Sequence, residues 1–236
     1  MNAKRNPPTY FVTGASSGIG LEIVRSLHER GAAVVATGRR PARELASDFP
    51  DVPYHSADLG DRAARDRILA AIPAALDRAI LCAGRGHYRP LAHETVADIR
   101  DVVEVNLTAG LHLAHGLYKP LSSTSGRIAF VGSVARKGAS GMPVYAASKA
   151  ALDGLARSLA LEWQGRITVK ALHPGPTATD MSVRAGRPAD LVNRLMLSPV
   201  AVAGAIIAAL EEDGSTRRTI SYGKILMDSL WRRRRA

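Results

Sequence analysis

The stretch Thr13-Gly-Ala-Ser-Ser-Gly-Ile-Gly20 decides the fold. It follows the apolar run Tyr10 to Val12 and opens a segment of helical period, Ile19 to Arg30, so it reads as the turn between a first strand and a first helix. Gly14, Gly18 and Gly20 let the chain turn tightly and bring bare backbone amides, with the positive end of the helix, against a phosphate. Ser16, Ser17 and Ile19 belong to the same cradle. The spacing is Gly-x-x-x-Gly-x-Gly. Its place between strand and helix marks it as a dinucleotide cradle and not merely a flexible turn.

Outward from this turn, short β-branched runs alternate with longer segments of helical period, the pattern of parallel βαβ units. Strands are predicted at Tyr10 to Thr13, Ala33 to Thr37, Pro53 to Ala57, Ala79 to Cys82, Arg127 to Val131, Thr168 to Leu172 and Thr219 to Tyr222. Helices are predicted at Ile19 to Arg30, Pro41 to Asp48, Asp61 to Ile72, Val96 to Tyr118, Pro143 to Trp163 and Val200 to Glu211, with a short one near Pro188 to Leu197. The expected fold is α/β: a single-domain, Rossmann-type doubly wound sheet of about seven mainly parallel strands, helices on both faces, ligand at the carboxyl ends of the strands.

In such a sheet an acid at the end of the second strand would accept hydrogen bonds from the ribose 2′-hydroxyl of NAD. Here the end reads Ala36-Thr-Gly-Arg-Arg40. Gly38 stands where the acid is expected, and Arg39 and Arg40 offer guanidinium forks suited to a 2′-phosphate. NADP is therefore preferred, with NAD as the alternative. No metal site is predicted.

Tyr145 and Lys149 lie four residues apart near the start of a helix, which puts them on one face, one turn apart. A neighbouring ammonium and a cationic nicotinamide ring would both favour the phenolate, letting Tyr145 exchange a proton near neutral pH. Ser133, at the end of the fifth strand, is placed to hold a carbonyl or hydroxyl oxygen. Hydride would then move between the nicotinamide and the carbonyl carbon while the proton moves through Tyr145.

With these residues the sequence resembles the short-chain dehydrogenase/reductase family, from Thr13 to about Leu210. The resemblance is carried by the glycine loop, Asp58-Leu59, Cys82-Ala-Gly84, Asn106, Ser133, Tyr145-Ala-Ala-Ser-Lys149 and Pro174-Gly-Pro-Thr-Ala-Thr179. It implies a catalytic set of Ser133, Tyr145, Lys149 and Asn106, the asparagine helping to hold a water that links the lysine to solvent. It also implies cofactor contacts from Asp58 to the adenine, with Leu59 beside it, and from the backbone near Ala83, with Cys82 and Gly84, to the nicotinamide ribose. Lys149 is expected to reach that ribose, and Pro174, Gly175, Thr177 and Thr179 the carboxamide. One departure is Leu81-Cys82, where the family has two asparagines. A local rearrangement and a buried, inert cysteine are expected there.

The substrate, a ketone, aldehyde or secondary alcohol, would be shaped by Arg85 to Pro90, Val134 to Met142 and Asp180 to Leu197. Arg136 and Lys137 are candidates for attracting an anion, His87 and Tyr88 for an aromatic wall. The alternative to an enzyme is a non-catalytic NADPH-binding sensor or scaffold, which loss of Tyr145 or Lys149 would have favoured.

Composition bounds the rest. The 236 residues are 46% hydrophobic, enough to bury a large core. One cysteine excludes an internal disulfide and fits a reducing, cytoplasmic setting. The polar first residues carry no signal-peptide core, and the longest apolar run, Pro199 to Leu210, falls short of the ~20 residues that span a bilayer. The net charge of +11 comes mostly from arginines scattered over helices, and aromatics are 5%, so nucleic-acid binding is not expected. The end, 224–236, joins Ile225, Leu226, Leu230 and Trp231 to Arg232-Arg-Arg-Arg235. It reads as a solvated basic tail or as a short helix resting on anionic lipid. Small residues around the helix from Pro143 to Trp163 predict cover on both sides, and the resemblance implies a homodimer or homotetramer.

Overall fold

The computed structural model describes residues 7–181, 185–186, 196–214 and 216–221. Seven parallel strands form one sheet: β1 (Thr9–Thr13), β2 (Ala33–Gly38), β3 (Tyr54–Ser56), β4 (Arg78–Leu81), β5 (Arg127–Val131), β6 (Thr168–Pro174) and β7 (Arg217–Ile220), in the order 3-2-1-4-5-6-7. The helices are α1 (Gly18–Glu29), α2 (Arg62–Ala70), α3 (Val96–Val103), α4 (Ala109–Ser122), α5 (Pro143–Glu162) and α6 (Pro199–Glu211).

Period-two alternation within each strand builds two cores, one on each face of the sheet. Tyr10 and Val12 of β1 face α1 and α6, together with Ile80, Ala129, Val131 and Leu172. Phe11 faces the opposite way with Ala79, Leu81, Ile128, Phe130 and Ala171, against α2, α4 and α5. α1 buries Gly20, Ile23, Val24 and Leu27, the i, i+3, i+4, i+7 stripe of an amphipathic helix. Asp61 and Thr95 cap α2 and α3 by accepting from Ala63 N and Asp98 N, and Pro143 and Pro199 sit in the first turns of α5 and α6. Because β2 and β4 flank β1 on opposite sides, the connections leaving β1 and β4 diverge. A crevice opens above their carboxyl ends.

Two predicted helices differ. Pro41 to Asp48 holds only a 3-10 turn, Ala42–Glu44. Everything in that segment except Pro41 and Leu45 is exposed, so there is no apolar face whose burial would offset helix nucleation. The predicted helix Val96 to Tyr118 is interrupted by a π turn, Glu104–Thr108, between α3 and α4. Buried Arg65 pins that turn: its guanidinium donates to Glu104 Oε1 at 2.7 Å and to the Leu59 carbonyl, while its Nε donates to His112 Nδ1 at 3.0 Å. The last strand begins two residues earlier than predicted, at Arg217, and Tyr222 lies outside the described residues. So do most of the short helix expected near Pro188 to Leu197 and the whole of 224–236.

Candidate active site

A cavity of about 760 Å³ lies over the carboxyl ends of the strands. Its first wall is the glycine loop. Gly14 and Gly18 adopt φ +70° and +57°, in the left-handed region, and a Cβ on Gly20 would run into the Gly14 carbonyl. The N-cap of α1, Ser17, makes no side-chain hydrogen bond to the helix, and the first turn holds no acid. The amides there keep their donors for an anion. Ser16 and Ile19 also line the cavity, and Thr179 packs across the loop, 3.1 Å from where a Gly18 Cβ would be.

At the end of β2 a side chain on Gly38 would meet Ser16 Oγ at 2.8 Å and Tyr54 Oη at 2.9 Å. The place of the acid is thus taken by two packed hydroxyl side chains. Tyr54 also donates to the Arg40 carbonyl at 2.8 Å, which fixes the backbone from which Arg39 and Arg40 project into the cavity wall. Arg40 lies 3.5 Å from Asp180. Next along the wall come Asp58, whose Oδ1 accepts from Gly60 N at 2.9 Å, and Leu59, then Cys82, Ala83 and Gly84. The Ala83 amide donates to Thr13 Oγ1 at 3.1 Å, tying β4 to β1 without the family's asparagine. Burial pushes the Cys82 thiol up to about 11 against the opposing pull of Lys149.

Tyr145 and Lys149 project from the first turns of α5, both buried. Lys149 donates to the Val131 carbonyl at 2.9 Å, and Nζ lies 5.7 Å from the centre of the Tyr145 ring. Burial lowers the ammonium to about 8, with Cys82 pulling the other way. The Tyr145 phenol is buried as well. Burial pushes it up to about 12; Ser133 lowers it, and Cys82 and Tyr88 add to the rise. The lysine spends its hydrogen bond on the backbone, so desolvation decides the sign. Ser133 is oriented by the Ala135 amide, which donates to its Oγ at 3.1 Å. Asn106, on the π turn, is buried outside the cavity wall: Oδ1 accepts from Arg85 N at 2.7 Å, and Nδ2 donates to the Arg85 carbonyl at 2.7 Å and to Ser148 Oγ at 2.9 Å. Pro174, Gly175 and Thr177 close the far wall, with Gly175 N held by the Ile220 carbonyl at 2.9 Å.

The substrate end is lined by His87, Tyr88, Val134, Ala139, Met142 and Met181. Arg136 and Lys137 do not line it. Arg136 turns inward to Asp153, 3.8 Å away, and Asp153 meets fully buried His173 at 3.1 Å. These two residues escaped the sequence reading, although Asp153 stands one turn beyond Lys149 and His173 directly before Pro174. His87, Glu94 and Asp98 bring metal-donor atoms within 4.8 Å of one another, but Arg89 lies 2.7 Å from Asp98 and 3.4 Å from Glu94 and already supplies their positive charge.

A family model described as short chain dehydrogenase matches residues 8–189. A relative in Escherichia coli (strain K12), the Cyclic-di-GMP-binding biofilm dispersal mediator protein, is 33% identical over 196 residues, 80% of this chain and 81% of that protein. A solved short chain dehydrogenase/reductase family protein superposes with a TM-score of 0.81 at 30% identity, over 93% of this chain and 97% of the other. A short-chain dehydrogenase from Sphingobium yanoikuyae, solved in complex with NADPH, gives 0.81 at 26% identity, over 97% and 94%. The chain belongs to the short-chain dehydrogenase/reductase family of NAD(P)-dependent oxidoreductases.

Proposed function

We propose that this protein is an NADPH-dependent reductase of a ketone or aldehyde, working as one catalytic domain. The carrying observation is the shape of a single cavity: Ser133, Tyr145 and Lys149 stand at one end, Arg39, Arg40 and the acid-free Gly38 at the other. Gly14, Ser16, Ser17, Gly18, Ile19 and Gly20 would hold the pyrophosphate on backbone amides, and Arg39 and Arg40 the 2′-phosphate. Asp58 and Leu59 would hold the adenine; Cys82, Ala83, Gly84 and Lys149 the nicotinamide ribose; Pro174, Gly175, Thr177 and Thr179 the carboxamide. The reduced nicotinamide, when bound, supplies the hydride.

The protein's own residues handle the oxygen. Ser133 and Tyr145 hydrogen-bond the substrate carbonyl, and Tyr145 delivers its proton to that oxygen as negative charge develops. A phenol held up at about 12 is protonated at neutral pH and so has a proton to give, while the preference for NADPH is what suits the reading to reduction. Lys149, lowered to about 8, titrates within reach of physiological pH and would hold the nicotinamide ribose beside Tyr145, with Asn106 positioning the loop next to it.

The test is NADPH oxidation against a panel of ketones and aldehydes, with Tyr145→Phe losing about 10²–10⁴-fold. Unchanged activity in that variant overturns the mechanism. The second reading, a non-catalytic NADPH sensor or scaffold, draws support from the E. coli relative, named a cyclic-di-GMP-binding mediator protein and not an oxidoreductase. NADPH binding with no turnover over the whole panel would select it.

The protein is proposed to act in the cytoplasm as a homodimer or homotetramer. Leu111 on α4 and Leu161 on α5 are exposed, the latter at 77%. A strictly monomeric mass in light scattering at micromolar concentration would remove the oligomer. Among the described residues no helix is long and apolar enough to cross a membrane. Contact of residues 224–236 with anionic lipid would be read by liposome flotation of the full chain against a deletion of 230–236.

A further inference from the structure

We propose that Arg85 is a positioning residue that couples the adenosine end of the cavity to Tyr145 and Lys149; this rests on the cofactor reading above. The tripeptide Gly84-Arg85-Gly86 threads between the two ends. A Cβ on Gly84 would lie 3.2 Å from Lys149 Nζ and 3.4 Å from Asn106 Oδ1, and one on Gly86 would lie 2.6 Å from Tyr145 Cδ2. The two glycines beside Arg85 therefore leave no room for a side chain against either member of the catalytic pair. Arg85 itself is gripped by one side-chain amide, its N–H donating to Asn106 Oδ1 and its carbonyl accepting from Asn106 Nδ2, each at 2.7 Å.

Its guanidinium runs the other way. Nη1 donates to Asp101 Oδ1 on α3, and Nη2 lies 3.6 Å from Asp58 Oδ2. All three side chains belong to the cavity wall. Without the guanidinium two carboxylates would face an anionic ligand uncompensated. A ligand group engaging Asp58 changes the field at Arg85, and the Arg85 backbone cannot move without moving Asn106 and pressing on Lys149 and Tyr145. The contacts are contiguous and physical, as coupling between two sites requires.

A cofactor supplied in two pieces tests this on the full chain. Affinity for reduced nicotinamide mononucleotide is read from its fluorescence, with and without saturating adenosine 2′,5′-bisphosphate. In the wild type the second piece should tighten the first by about fivefold or more, and the effect should be reciprocal. Arg85→Met keeps the backbone clamp and cuts the link, so the factor should fall to near one; Arg85→Lys, still able to pair one acid, should recover part of it. Asp101→Asn, which keeps Arg85 and removes one anchor, should also lower the factor and decides the matter if Arg85→Met does not fold. A wild-type factor of one with both pieces bound, or full coupling in Arg85→Met or Asp101→Asn, overturns the proposal. Failure of adenosine 2′,5′-bisphosphate to bind the wild type overturns the cofactor reading and this proposal with it.

Discussion

Lys149 Nζ donates to the Val131 carbonyl at 2.9 Å while lying 5.7 Å from the centre of the Tyr145 ring. A buried ammonium with one backbone acceptor and no carboxylate is costly, which is why burial brings it down to about 8. The consequence for stability has a definite sign. Between about 8 and the unfolded value near 10.5 the unfolded chain binds more protons at this lysine than the folded one, so its contribution rises with pH across that window. Wild type relative to Lys149→Met should gain on the order of 1–2 kcal/mol between pH 8 and 9.5, read from denaturant midpoints. A flat difference between the two proteins over that range would contradict the burial argument.

The arginines after β2 carry the cofactor preference. Each charge-assisted hydrogen bond to a 2′-phosphate is worth ~1.5–3 kcal/mol, so Arg39→Ala with Arg40→Ala should weaken NADPH at least tenfold and leave NADH nearly unchanged. Thermal stabilisation by the two cofactors is the readout. Equal stabilisation of the wild type by both would remove the preference. Restoring an acid by Gly38→Asp should fail by itself, because Ser16 Oγ and Tyr54 Oη occupy the space.

Local pattern and tertiary outcome part company at identifiable residues. The turn at Gly14 to Gly20, the strands and the spacing of Tyr145 and Lys149 were legible because each depends on backbone geometry repeated over a few residues. The segment Pro41 to Asp48 was not, since helical composition there has nothing to pack against. The π turn at Glu104 depends on Arg65, 39 residues away, and no periodicity reports such a partner. Arg136 on a glycine-flanked loop looked solvated and electropositive; its inward turn follows from Asp153 and His173, brought together by α5 and β6. At Tyr145, sequence spacing gives the neighbouring lysine, and only the fold gives the desolvation that raises the phenol.

Cys82 lines the cavity and stands in place of a family asparagine, yet it should be inert. With the thiol raised from 9.0 to about 11, the thiolate fraction at pH 8 falls by about a hundredfold. A thiolate grows more nucleophilic as its pKa rises, so alkylation by iodoacetamide, followed by intact mass, should be slowed by about tenfold on balance and should quicken steeply as the pH is raised. Rapid modification of the folded protein at pH 8 would contradict this.

Asp153 holds two elements of the site that no local sequence pattern joins. Its carboxylate receives Arg136 from the turn after Ser133 and His173 from the end of β6, in a place where all three side chains are largely covered. Removing one member of a buried charged network takes away a partner that the others use, which costs on the order of 3–5 kcal/mol. Asp153→Ala should therefore lower stability by that order, Arg136→Met by less, because His173 still shares the carboxylate. The pair of losses should also be non-additive, since each breaks the same contact. Urea midpoints of the two single variants and the double variant measure this directly. Strict additivity would mean that Arg136 and Asp153 do not act as a unit, and that the turn Val134 to Lys137 is set by its own backbone.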